Sequence, residues 1–210
     1  VAHLVLDPAE MPAPAARKLL IGSVVPRPIA WTSTVSRSGV PNLAPFSFFT
    51  VASTCPQMLT ITIEPHDSGA EKDTLANIRE TGEFVVNVVP EQLGNAMRVS
   101  ADVGEGAADE FAIAGLTAAP SHLVAASRVA ETPAAVECRL ERMLRLGTDT
   151  MVIGRVACYH MDPAVLDDRG RVDNLALRAL GRLGGGYIRT DQAFGLPKSQ
   201  DDRSRSGPTG

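Results

Sequence analysis

Between Pro133 and Met161 the chain spells out a hairpin. Val136, Cys138 and Leu140 alternate with Glu137, Arg139 and Glu141, and Gly147-Thr148-Asp149 separates this arm from a second extended run, Thr150 to Met161. Alternation with a period of two, closed by a polar turn, reads as two long antiparallel strands, the first with one buried and one wet face. Elsewhere turn residues recur at close spacing and no strand–helix alternation repeats, which disfavours a parallel, doubly wound sheet. About six strands and three or four short helices are predicted. A closed antiparallel barrel with helical insertions accommodates them.

The remaining elements follow from local chemistry. A helix is predicted from Pro14 to Ile21 with Gly22 as its stop. Pro26 and Pro28 hold the backbone around Arg27 extended. Ile29 to Val35 reads as a core strand, followed by a turn at Ser36 to Gly39. Val40 to Ser53 stays extended, but Pro41 and Pro45 assign it to an edge or to irregular backbone. Met58 to Ile63 is a cleaner strand. Asp73 or Thr74 caps a helix that Gly82 ends. Glu83 to Val89 is a buried strand interrupted by Asn87, and Pro90 opens a helix over Glu91 to Ala101. Leu175 to Leu183 is predicted helical and Tyr187 to Arg189 is the last strand. Residues 1–197 read as a single domain, and the polar composition of 198–210 predicts a disordered tail.

Composition removes several function classes. A net charge of −4 gives no bias toward nucleic acid or an anionic membrane surface. No apolar run approaches the ~20 residues of a membrane helix, and no secretory pattern opens the chain. Cys55, Cys138 and Cys158 form no CxxC pair, which fits inert thiols in a reducing cytoplasm. The histidines, His3, His66, His122 and His160, show no metal-ligand spacing, so no metal site is expected. Phosphate-loop, dinucleotide and nucleophile-elbow motifs are missing.

What remains is a ligand-binding pattern. Lys72-Asp73-Thr74 opens a helix with free N–H groups, a cation and a hydroxyl, a good set for a phosphate, or else an ordinary cap with a solvated lysine. Thr32, Ser33 and Thr34 are candidate donors to phosphate or ribityl-type oxygens, or simply strand formers. Trp31, Phe46, Phe48 and Phe49 can flank a planar ring or fill core, with Ser47 between them. Arg27 is a second candidate cation, Asn87 a candidate loop anchor or cofactor contact, and His122 a structural or substrate-binding histidine.

Pro26-Arg27-Pro28-Ile29-Ala30-Trp31-Thr32-Ser33-Thr34, Pro41 to Phe49, Lys72 to Ile78 and Thr81 to Asn87 together resemble the flavin reductase-like FMN-binding split-barrel family, with the flavoredoxin-like members as the nearest subgroup. Glu137-Cys138-Arg139-Leu140 and Gly181-Arg182-Leu183-Gly184-Gly185 extend the likeness, which runs from Leu19 to Tyr187. The resemblance implies a mainly β, Greek-key split barrel with a few short flanking helices. It implies a homodimer with one FMN per subunit near the interface. Trp31 to Thr34 and Phe46 to Phe49 would border the flavin, partly through main chain, and Lys72, Asp73 and Thr74 would lie near the ribityl–phosphate end. Gly181 and Arg182 are candidates to reach the partner's site. The implied activity is transfer of electrons from NAD(P)H to flavin and on to a partner monooxygenase or another acceptor, with no catalytic side chain, since the cofactor carries the chemistry. Two rivals stand beside it: an FMN carrier or storage protein without nicotinamide activity, and a split barrel that has exchanged flavin for another ligand such as haem.

Overall fold

The computed structural model describes residues 1–103 and 109–196; the tail predicted at 198–210 lies outside the described residues. In chain order the elements are α1 (Ala13–Ser23), β1 (Arg27–Pro28), β2 (Ala30–Val35), β3 (Pro41–Phe46), β4 (Phe49–Thr54), β5 (Gln57–Ile63), α2 (Asp73–Thr81) and β6 (Glu83–Val88). There follow α3 (Gly94–Ala101), α4 (Glu110–Ile113), β7 (Ala118–Ala119), β8 (Arg128–Val129), β9 (Ala134–Leu146), β10 (Asp149–Met161), α5 (Asn174–Leu177), β11 (Gly181–Arg182) and β12 (Tyr187–Ile188).

Seven strands form one sheet in the order β3-β2-β6-β9-β10-β5-β4, antiparallel throughout. β3 and β4 are its two edges, yet only Ser47 and Phe48 lie between them in sequence. So short a link obliges the twisted sheet to roll until its edges meet. No ladder joins those edges, so the barrel is split there. Pro41 and Pro45 fall on an edge strand, where a missing N–H costs least.

The interior of the barrel is apolar. Phe46, Ile61, Ile63, Phe84, Val86, Cys138 and Val152 pack with Leu75 and Ile78, the apolar pair that α2 presents at i and i+3. Gly82, at φ 72°, ends that helix in the left-handed conformation and donates its N–H to Ile78 O at 2.9 Å. The register of β9 and β10 shifts beside Gly154, where a Cβ would lie 2.3 Å from the Phe84 ring. Only glycine lets the strand pass beneath that ring. A second layer, Ile29, Trp31, Leu43, Val89, Met97 and Phe111, is covered by α3 and α4.

Four sequence expectations are corrected. The first helix runs through Gly22, its expected stop, to Ser23. The predicted helix at Leu175 to Leu183 shrinks to Asn174–Leu177. Arg178 turns left-handed at φ 47°, after which Leu180 N–H donates to Val89 O and Gly181–Arg182 pairs with β1. Ladder bonds to distant backbone outweigh the helical propensity of this stretch. The helix predicted from Glu91 begins as a 3-10 turn at Glu91–Leu93 and becomes α-helical only at Gly94. Glu137, assigned to a wet face, is fully buried.

Candidate functional site

The split creates the site. Beside the corner Phe46-Ser47-Phe48 opens a cleft of about 360 Å³. Arg17 and Ile21 of α1 and Arg27 of β1 form one wall, Met97 and Ala101 of α3 a second, and Arg182, Gly184 and Tyr187 of the C-terminal segment a third. Lys72, at the start of α2, points its cation over the Phe46 ring, 5.7 Å from the centroid. That helix begins at Asp73, earlier than a cap at either Asp73 or Thr74 predicts. Its N-cap is Lys72 itself, which has no side-chain acceptor for the first-turn N–H groups.

Positive charge dominates this cleft. Four cationic side chains, Arg17, Arg27, Lys72 and Arg182, line it against one carboxylate, Glu64. Arg17 and Glu64 pair with each other at 2.7 Å. Arg27 is only 8% exposed, and its guanidinium donates to Ile21 O at 2.6 Å, Val24 O at 2.7 Å, Leu183 O at 3.2 Å and, weakly, Ser47 Oγ at 3.4 Å. It also lies over the Phe48 ring at 5.7 Å. Burial, then the like charges of Arg182 and Arg17, push Arg27 below the ordinary arginine range. Arg182 lies 4.6 Å over Tyr187. Among the described residues neither Arg27, Lys72 nor Arg182 has an ion-pair partner.

The structure separates the predicted site residues into two groups. Phe46, Ser47, Phe48 and Lys72 line the cleft. Asp73 and Thr74 line an adjoining cavity of about 140 Å³ that shares Lys72 with it. Trp31, Thr32, Ser33 and Thr34 are fully buried in β2, between two ladders. Trp31 Nε1 donates to Ser100 Oγ at 2.9 Å, and Ser33 Oγ donates to Ser127 O at 2.5 Å. Thr34 Oγ1 accepts from Asn42 and Asn77, and Asn42 also donates to Thr74 Oγ1, tying α2 to β2 and β3. Phe49 packs against the barrel interior. Asn87 is a loop anchor: it donates to Trp31 O and Ser33 Oγ and accepts from Val129 N–H. Sequence reasoning passed over Arg17 and Tyr187; Arg182, offered by the resemblance only as a candidate to reach a partner's site, lines the cleft of its own chain. Its signal was hidden, because it stands in the stretch read as helix.

A second buried charge lies outside this cleft. Glu137 Oε1 accepts from His122 N–H at 2.6 Å and pairs with His160 Nε2 at 2.5 Å; Oε2 accepts from Leu123 N–H at 2.6 Å and Val124 N–H at 3.1 Å. Burial pushes this carboxyl up, but the bonds from His160, His122 and Leu123 outweigh it and hold it below the usual carboxylate range. Cys158 completes a Glu–Cys–His group within 4.8 Å that pairing of β9 with β10 brings together. Both carboxylate oxygens are already saturated with hydrogen bonds, so the group is organised as a loop anchor and not as an open metal site. His122 contributes its N–H to that anchor, and its ring is exposed. The three cysteines are free, and burial followed by the Glu137 charge pushes the Cys138 thiol up to about 12, leaving it unreactive.

Comparison with known proteins agrees with this architecture. The flavin reductase like domain matches residues 21–176. Component B of nitrilotriacetate monooxygenase from Bacillus cereus superposes with a TM-score of 0.89 at 32% identity, covering 93% of this chain and 100% of that one. The 2-nitrobenzoate 2-nitroreductase of Pseudomonas fluorescens follows at 0.84 and 28% identity, covering 95% and 97%. Flavoredoxin of Desulfovibrio vulgaris (Miyazaki F) has a TM-score of 0.76 at 20% identity, covering 85% and 94%, a likeness of fold alone. With the domain match spanning most of the chain and the split barrel shared, this protein belongs to the flavin reductase-like family of flavin-binding proteins.

Proposed function

We propose that the cleft holds FMN and that the protein is an oxidoreductase passing electrons from NAD(P)H, through the flavin, to an acceptor. The observation that carries this is a set of three cations, Arg27, Lys72 and Arg182, that have no ion-pair partner among the described residues and stand beside an aromatic corner. A dianionic phosphate calls for a cation and free N–H donors, and Lys72 with the uncapped first turn of α2 offers both. An isoalloxazine calls for an apolar slot with few polar contacts, and Phe46 and Phe48 with Ser47 between them offer that. The residues present therefore fit the cofactor. When bound, FMN supplies hydride acceptance and onward electron transfer.

The chain's own part is binding and shaping. Phe46, Ser47, Phe48, Lys72 and the main chain of Asp73 and Thr74 are assigned direct contact. Trp31, Thr32, Ser33, Thr34 and Phe49 act from behind, holding β2 and the corner in place. The acceptor is a partner monooxygenase or another oxidant; the likeness to a monooxygenase component supports the former. A homodimer is supported by α1, which has no buried residue and exposes Leu19 and Leu20. Free thiols fit a cytoplasmic protein, and among the described residues no helix is long and apolar enough to cross a membrane.

The test is a visible spectrum of the purified protein supplemented with FMN, followed by anaerobic titration with NADH, NADPH and then dithionite. Bound flavin bleached by a reduced nicotinamide is the expected result. Bleaching by dithionite alone would make the protein a carrier. A protein that ignores FMN would sink the assignment.

A further inference from the structure

We infer that Arg182, seated on Tyr187, is a second anion-recognising subsite in the cleft, one that binds a carboxylate or phosphate group of the molecule reacting with the flavin. This rests on the flavin assignment above. The cations of the cleft fall into two sets on different elements. Lys72 stands at the start of α2 and is shared with the adjoining cavity, where Asp73 and Thr74 also lie. Arg182 stands on β11 directly opposite Arg27, its register partner on β1. A phosphate held at Lys72 leaves the Arg27–Arg182 pair without a counter-ion.

Within that pair the two guanidiniums differ. Arg27 spends its donors on the carbonyls of Ile21, Val24 and Leu183 and on Ser47, so it contributes field more than bonds. Arg182 makes no side-chain hydrogen bond among the described residues, and its planar fork is free for bidentate contact with a carboxylate or phosphate. Nor is it a loose surface arginine. Its ring partner lies at 4.6 Å, and Gly181–Arg182 is laddered to both β1 and β12. Glu91 clamps this segment from both sides, pairing with Arg178 at 2.6 Å and with Arg189. Arg17, the remaining cation of the wall, is neutralised by Glu64.

One chemistry has two sources here: the pyrophosphate of a nicotinamide dinucleotide, or the carboxylate of an aromatic acceptor. Calorimetric titration of the FMN-loaded protein at low salt with inorganic pyrophosphate, benzoate and neutral benzamide separates them. The expected result is an anion bound at least ~10-fold more tightly than benzamide, a preference lost in Arg182→Gln, only partly kept in Arg182→Lys, which retains the charge without the fork, and accompanied by an FMN dissociation constant within about twofold of wild type in both variants. Preference for pyrophosphate assigns the subsite to the dinucleotide, and preference for benzoate to the acceptor. No anion preference in wild type, or a preference that survives Arg182→Gln, overturns the inference and leaves the flavin assignment standing. Loss of FMN from Arg182→Gln would also overturn it, by moving Arg182 to the cofactor phosphate. A wild-type protein that takes up no FMN overturns both.

Discussion

Glu137 and Arg27 are both buried, at 0% and 8% exposure, yet their surroundings differ in kind. Glu137 meets three main-chain N–H groups and the His160 ring. Arg27 meets carbonyls, one hydroxyl, an aromatic face and two further arginines. Burying an ion is costly unless bonds and an opposite charge offset the loss of water. At Glu137 the chain supplies that offset itself, so the charge is architectural. At Arg27 it supplies hydrogen bonds but, among the described residues, no counter-ion, which is what the proposed anionic ligand would provide. On the proposed reading, the buried charge that its neighbours solvate without neutralising is the one that belongs to the binding site.

The largest expected effect lies on the architectural side. Glu137→Ala leaves three N–H groups and His160 without their acceptor and should destabilise the fold by ~3–5 kcal/mol in urea unfolding. FMN affinity of the folded fraction should not change. A loss of stability no greater than for an exposed glutamate would break the comparison. The same residue predicts a pH slope. Its folded-state pKa is depressed, so its contribution is complete above the ordinary carboxylate range and is lost as pH falls through the lowered value. Glu137→Gln should flatten the acid limb of a stability–pH curve at that step.

On the cleft side the readout moves from stability to affinity. Lys72→Ala should weaken FMN binding by ~1.5–3 kcal/mol with the unfolding midpoint unchanged. A dissociation constant equal to wild type would remove Lys72 from the site. Arg27→Met should cost the apo protein only ~1–2 kcal/mol, because relief of ion burial offsets part of the lost bonds. It should nevertheless reduce the thermal stabilisation that added FMN confers, which a charge of Glu137's type would not do. The smallest effect concerns the wall. Trp31→Phe removes the bond to Ser100 and should cost about 1 kcal/mol of stability. If FMN affinity falls as well, Trp31 touches the flavin and does not merely support the strand.

Much of this molecule is legible one segment at a time. Alternation in β9, the glycine that ends α2 and the prolines of β3 each report a local preference, and the corresponding elements formed within a few residues of where they were expected. Lys72 and the Phe46 to Phe48 corner were legible for the same reason: they lie on short runs whose chemistry is unusual without any partner. Glu137 was not, because alternation assigns it to water and the N–H groups that bury it arrive with the loop at 122–124. The strand that carries Arg182 was not, because its helix-forming neighbours hide the ladder that β1 offers.

Hydrophobic period, turn residues and helix stops are short-range properties, and they were enough to commit this chain to an antiparallel, mainly β fold with short helices. Where the two sheet edges meet, which hydroxyls are consumed inside the protein and which cations remain unpaired depend on contacts between residues far apart in the chain. The order β3-β2-β6-β9-β10-β5-β4 brings those residues together. Long-range pairing therefore left Thr34 and Thr74 tied to each other through Asn42 and left the Arg182 side chain without a hydrogen-bond or ion-pair partner among the described residues, because a side chain's chemistry depends on which neighbours have already met its hydrogen-bonding and charge requirements.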